Sequence, residues 1–206
     1  DAELAALRGL FQRAFQLAAR EFAAKELAPQ AADWDARGHF PKDVIAHAGE
    51  LGFCGLYATE ACGGLGLSRL DATLVFEELA AACPSTAAFI TIHNMATWMV
   101  TTFARPDVAG RWGPLLTSGR GLASYCLTEP GAGSDAASLK TRAERDGDCY
   151  VLSGSKAFIS GAGATDALVV MARTGGAGAG GISALLVGAD SPGIHYGKKE
   201  EKMGWN

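Results

Sequence analysis

Paired cysteines, basic stripes and phosphate-gripping loops are all missing from this sequence, and each absence removes a class of function. The cysteines (Cys54, Cys62, Cys83, Cys126 and Cys149) are odd in number, scattered, and never spaced C-x-x-C. That argues against a zinc ribbon or a disulfide framework and for reduced, packed thiols in a reducing compartment. Nor do His39, His47, His93 and His195 form a spaced ligand pair, so no metal site is expected. With a net charge of -4, the longest basic cluster is Lys198–Lys199, followed at once by Glu200–Glu201. No nucleic-acid footprint exists. A G-x-x-x-x-G-K-[ST] run is absent too, which leaves phosphoryl transfer without support. The start, DAELAALRGL, is acidic and amphipathic, unlike a signal peptide.

Charge is also missing from Ser85 to Ala104, which holds no Lys, Arg, Asp or Glu. Its Ser85, Thr86, Thr91, His93, Asn94, Thr97, Thr101 and Thr102 fit a bilayer core poorly. The stretch reads as a helix buried in a bundle, with no integral membrane segment.

What remains is a globular composition, 49% hydrophobic and 19% charged, long enough for one large domain or two modest ones. The front reads as helical. Leu4, Leu7, Phe11, Phe15, Ala18 and Phe22 recur at helical steps, predicting one apolar face on a helix that stops before Pro29. A second helix runs from Pro41 to a left-handed cap at Gly52. In a third, Ser68 and Asp71 form a capping box, and Leu70, Leu74, Val75 and Leu79 supply the apolar side. The buried helix follows after Cys83–Pro84, then a shorter one through Trp112, Leu115 and Leu116.

Past Gly119–Arg120–Gly121 the chain turns into short strand-like runs separated by glycine. Thr141–Arg145 and Cys149–Leu152 flank Asp146–Gly147, a hairpin signal. Ala167–Ala172 and Ile182–Val187 are two more strands, joined by Gly175–Gly181. The expected fold is α+β: a helical bundle over 1–121, then an antiparallel β-barrel or sandwich over 122–206 that looks unfinished at Trp205–Asn206.

Gly176–Gly181 matches G-x-G-x-x-G in letters, but a strand-like run follows where a dinucleotide fingerprint needs a helix, so a hairpin loop is expected. His93, beside Asn94 in the buried helix, reads as a hydrogen-bonded packing residue. Glu77 and Glu78 are neighbours on a helix and point apart, unlike an acid/base pair.

Two segments carry chemistry. Tyr125-Cys126-Leu127-Thr128-Glu129-Pro130-Gly131-Ala132-Gly133-Ser134-Asp135 is a strand end running into a Pro-Gly turn. Such a turn exposes backbone N–H groups to an anion, and Thr128 and Ser134 add hydroxyls. An ordinary surface turn has the same composition. Gly154-Ser155-Lys156-Ala157-Phe158-Ile159-Ser160 offers an aromatic face and a hydroxyl on one side if the run is extended, which suits a flat heterocycle. Plain core packing of Phe158 is the alternative.

Together, YCLTEPGAGSD, a hairpin and GSKAFIS resemble the paired flavin-binding signatures of the acyl-CoA dehydrogenase family. IHNM at 92–95, VVMARTGG and GKKEEKMGWN resemble, more narrowly, the branch acting on isobutyryl-CoA in valine breakdown. The resemblance spans the N-terminal helical domain and most of the middle β domain. It implies that Tyr125, Cys126, Leu127, Thr128, Glu129, Pro130, Gly131, Ala132, Gly133 and Ser134 line FAD. Thr128 would bond the flavin ring, Gly133–Ser134 would lie near the pyrophosphate, and Ser134 would also touch the acyl-CoA. Phe158, Ile159 and Ser160 would lie against the isoalloxazine, with Phe158 where relatives often have tryptophan.

Dehydrogenation of an acyl thioester needs a carboxylate base and a stabilised enolate oxygen. The resemblance puts that base on a glutamate in a C-terminal helical domain, beyond Asn206, so residues 1–206 alone are expected to be inactive. It further implies an electron-transfer flavoprotein as acceptor, a homotetramer or dimer, and the cytoplasm or, in a eukaryote, the mitochondrial matrix. An acyl-CoA oxidase, a flavin monooxygenase of the same fold, and a non-catalytic flavin- or acyl-CoA-binding module stay open.

Overall fold

The computed structural model describes residues 2–205, with side chains from residue 9 onward, so the predicted packing of Leu4 and Leu7 lies outside the described side chains. The chain divides into two compact units, Asp1–Gly121 with Lys199–Asn206, and Leu122–Lys198.

The first unit is helical. Helix α1 (Ala2–Phe22) runs on through one wider turn, Ala23–Leu27, and ends before Pro29. Its seating differs from the predicted face. Phe22 is buried and Phe15 half-buried, but Phe11 and Ala18 are exposed, while Ala19 and Ala23 are buried. The reason lies in α4 (Arg69–Ala82), against which α1 packs. Gln12 donates to Asp71 (2.6 Å), and Gln16 (2.8 Å) and Arg20 (2.6 and 2.8 Å) donate to Glu78. These polar contacts turn the helix away from the orientation that its aromatic periodicity suggests.

A short helix absent from the sequence reading, α2 (Ala31–Arg37), buries Trp34. Helix α3 (Lys42–Glu50) follows Pro41, and Gly52 beyond it has φ +84°, the left-handed geometry expected of that position. In α4 both halves of the capping box are made, Asp71 N–H to Ser68 Oγ (3.2 Å) and Ser68 N–H to Asp71 Oδ2 (3.0 Å). Val75 and Leu79 are buried, but Leu70, in the first turn, is exposed.

The charge-free helix α5 (Pro84–Phe103) is buried through Ala87, Phe89, Ile90 and Ala96, and its buried polar side chains are matched to partners. Asn94 accepts from Leu56 N–H (2.8 Å) and donates to Phe53 O (2.7 Å) and Ile90 O (2.9 Å). His93 Nε2 lies 2.9 Å from Leu116 O, on α6 (Pro106–Thr117). No described helix is long and apolar enough to cross a membrane.

The second unit is a five-stranded sheet of β1 (Ala123–Cys126), β2 (Arg142–Asp146), β3 (Cys149–Ser153), β4 (Ala167–Arg173) and β5 (Ile182–Gly188). Two pairings are antiparallel. The β2–β3 hairpin turns at Gly147 (φ +58°), and β4–β5 is closed by the glycine loop, where a single 3₁₀ turn rather than a helix follows β4. Two pairings are parallel: β1 beside β4 from Ala123↔Ala167 to Cys126↔Val170, and β2 beside β4 at Arg142↔Arg173. The sheet is therefore mixed where an antiparallel one was expected. Parallel neighbours need long connections, and the one between β1 and β4 holds both candidate segments. Cys126, Leu168 and Val170 form a core with Leu152, Ile159, Val187, Ala189 and Ile194.

Lys199 Nζ donates to Gly38 O (2.5 Å), and Lys199–Asn206 groups with the helical unit because it contacts that unit.

Candidate functional site

β1 delivers the chain to a tight turn. Glu129 N–H donates to Ala132 O (3.0 Å) and Ala132 N–H returns to Glu129 O (3.1 Å), closing Pro130 and Gly131 between them. Among the described residues, the N–H groups of Gly131, Gly133 and Ser134 then have no hydrogen-bond partner. A Cβ built on Gly131 or Gly133 would meet nothing within 4 Å, and neither glycine has a positive φ. What glycine preserves here is open space beside a row of N–H donors, the arrangement that accepts an anionic group. Ser134 is exposed and Thr128 half-buried, and their hydroxyls make no hydrogen bond among the described residues.

The second segment is tied to the first. Ala157 N–H donates to Thr128 O (2.9 Å), Lys156 Nζ donates to Leu127 O (2.9 Å), and Ser124 Oγ on β1 donates to Ser160 O (2.7 Å). Ser124 is itself held by Thr165 Oγ1 at 2.8 Å. The two signatures are thus neighbours joined backbone to backbone.

The second run is not extended, however. β3 ends at Ser153, and Phe158 adopts φ +56° with its side chain 73% exposed. A left-handed residue breaks the two-residue alternation, so the pleat that was to align Phe158 with Ser160 does not exist. Ile159 instead turns inward onto Cys126, Leu168 and Val170. Of the expected lining, Cys126, Glu129 and Ala132 are buried, Tyr125 and Leu127 are half-buried, and Pro130 and Gly131 are exposed.

Glu129 is engaged within the fold itself. Its carboxylate faces inward and accepts from Lys140 N–H (2.6 Å), Thr141 N–H (2.8 Å) and Lys156 Nζ (2.9 Å). Burial pushes its pKa up; the nearby Thr141 hydroxyl, the two backbone N–H groups and the ammonium outweigh this and hold it down at about 2. The Thr141 hydroxyl oxygen is itself buried without a partner in hydrogen-bond geometry among the described residues, so the firm contacts are the two backbone N–H groups and the ammonium. An open recess of about 250 Å³ lies alongside, lined by the 129–132 turn, Ser138, Lys140, Thr141, Gly154 and Ser155.

Sequence reasoning missed Lys156, Ser124 and Thr165. For Lys156 a signal was present: it is the single charge in GSKAFIS, and Glu129 is the single charge between Tyr125 and Ser134. Opposite lone charges in two otherwise neutral loops point to a pair.

Residues 11–120 match the acyl-CoA dehydrogenase N-terminal domain, and residues 124–206 match the acyl-CoA dehydrogenase middle domain. The chain is 52% identical to the mitochondrial isobutyryl-CoA dehydrogenases of Bos taurus and Dictyostelium discoideum, over 95% of its own length and 47% of theirs. It therefore spans about half the length of these curated relatives. The structure of butyryl-CoA dehydrogenase from Megasphaera elsdenii is similar over 94% of this chain and 52% of that one, with a TM-score of 0.85 at 34% identity. Two consecutive domain matches, this identity and the shared fold agree: the chain belongs to the acyl-CoA dehydrogenase family.

Proposed function

We propose that this chain forms the flavin cradle of an enzyme that removes hydrogen from the α and β carbons of a short branched acyl-CoA, with isobutyryl-CoA as substrate and FAD as cofactor. The observation that carries this reading is the 2.9 Å bond from Ala157 N–H to Thr128 O, which joins two signatures far apart in sequence and supports reading them as one site. The chemistry drawn from FAD, when bound, is acceptance of the β-hydrogen as hydride.

The chain's own residues bind and orient. The N–H row at Gly131, Gly133 and Ser134 serves the pyrophosphate, the hydroxyls of Thr128 and Ser160 serve the polar edge of the ring, and Phe158 offers its exposed face. Ser134 also meets the acyl-CoA. Glu129 is not the base, because three donors hold it and a pKa of about 2 makes it a poor proton acceptor. The α-proton is taken by a carboxylate outside these loops, in the part of the relatives' length that this chain does not span. Identity of 52% to isobutyryl-CoA dehydrogenases supports the acyl group. An electron-transfer flavoprotein as acceptor, a homo-oligomer, and a reducing compartment such as the mitochondrial matrix complete the proposal.

The test is the visible spectrum of the full-length protein with FAD, titrated anaerobically with acyl-CoA thioesters. Bleaching by isobutyryl-CoA ahead of butyryl-CoA and glutaryl-CoA is expected. No flavin band, or equal bleaching by all three, overturns the cofactor or the substrate respectively, and steady peroxide under air would mark an oxidase instead.

A further inference from the structure

The pair formed by Glu129 and Lys156 does more than satisfy two buried charges. Their side chains are 7% and 12% exposed, so both are largely out of water. Each also reaches backbone on a different stretch of chain. Glu129 grips Lys140 N–H and Thr141 N–H, at the entry to β2, while Lys156 reaches back to Leu127 O, the residue before Thr128. Three segments that share no regular secondary structure are therefore gathered at one ion pair: the 127–132 turn, the 140–141 entry and the 154–160 loop. Beside the pair, Ala157 N–H meets Thr128 O, and Phe158 follows at once in its left-handed turn.

We infer that Lys156, with Glu129, is a positioning residue for flavin, fixing the Thr128 loop and the Phe158 loop at the separation the ring requires. This rests on the flavin reading above. Side chains that meet a ligand hold their geometry only when groups behind them are locked. Here the groups behind Thr128 and Phe158 are loops, spanned by the ion pair as well as by the Ala157–Thr128 backbone bond. Breaking one partner leaves a buried charge uncompensated, whereas removing both charges together leaves none. That difference separates positioning from folding.

The experiment measures FAD affinity by quenching of flavin fluorescence, and thermal melting without flavin, for the full-length wild type, Lys156→Met and the double variant Glu129→Gln/Lys156→Met. The single variant is expected to melt lower and bind FAD about 10- to 100-fold more weakly. The double variant is expected to recover most of the melting temperature yet still bind weakly, with altered fine structure in the visible band of its bound flavin. A double variant with wild-type affinity and band shape overturns the inference. One that does not fold assigns the pair to stability alone and overturns it equally. Failure of the wild type to bind FAD defeats the flavin reading itself, an outcome distinct from the other two.

Discussion

Three donors converge on one carboxylate at Glu129, and that arrangement has a pH signature. Its folded pKa of about 2 lies below the ordinary 4.5, so the unfolded chain binds the proton more readily. The resulting stability is present in full above about pH 5 and is lost as pH falls from there towards 2. A depression of this size corresponds to something on the order of 3 kcal/mol. Urea melts between pH 5 and 2 should therefore show a steeper acid loss for the wild type than for Glu129→Gln; parallel curves would contradict it. Phe158 presents the opposite case, a residue under strain. Its left-handed φ costs a non-glycine residue roughly 1–2 kcal/mol, and its ring gains little burial in return. Phe158→Gly should leave the flavin-free melting temperature unchanged or higher while weakening FAD binding. A drop in melting temperature with full FAD affinity would mean that the ring serves packing.

Among the elements, α5 is tied to its surroundings through a buried polar side chain, Asn94. Asn94 joins it to Phe53 and Leu56, which lie in the connection after α3. Asn94→Ala strands the Leu56 N–H and the Phe53 carbonyl in the core and should cost about 3 kcal/mol, read as a lower denaturant midpoint at unchanged slope. Elements like this show where sequence alone suffices. The Ser68–Asp71 box, the Gly52 cap and the Asp146–Gly147 turn were legible because each is local: the residues that need one another lie within a few positions. The face of α1 was not, because Gln12, Gln16 and Arg20 answer to acids some sixty positions away on α4. The parallel pairing of β1 with β4 escaped for the same reason, since strand patterning reports burial and not the direction of a neighbour. Within the candidate site the N–H row and the hydroxyls could be read from glycine and serine spacing, whereas the inward turn of Ile159 and the Glu129–Lys156 pair depend on a fold that periodicity does not encode.

At the scale of the molecule, the chain matches two successive domains of its family and about half the length of its curated relatives. Residues 1–206 expressed alone should give no product from isobutyryl-CoA and an artificial electron acceptor, because Glu129, the carboxylate within the expected lining, is already held by three donors. Measurable turnover would require a base among these residues and would refute the assignment.

The chain leaves the helical unit after Gly121 and rejoins it at Lys199, where an ammonium holds the carbonyl of Gly38. While the intervening sheet is unfolded, docking those last residues means closing a loop of roughly 80 residues, an entropic penalty of about 4 kcal/mol. An ammonium–carbonyl contact such as Lys199–Gly38 does not by itself meet it. Folding of the intervening sheet shortens the free loop, so the penalty falls before the tail docks. The C-terminal residues thus act as a reporter: slow amide exchange between 199 and 205 signals a formed sheet, and any substitution that loosens the sheet should release them first.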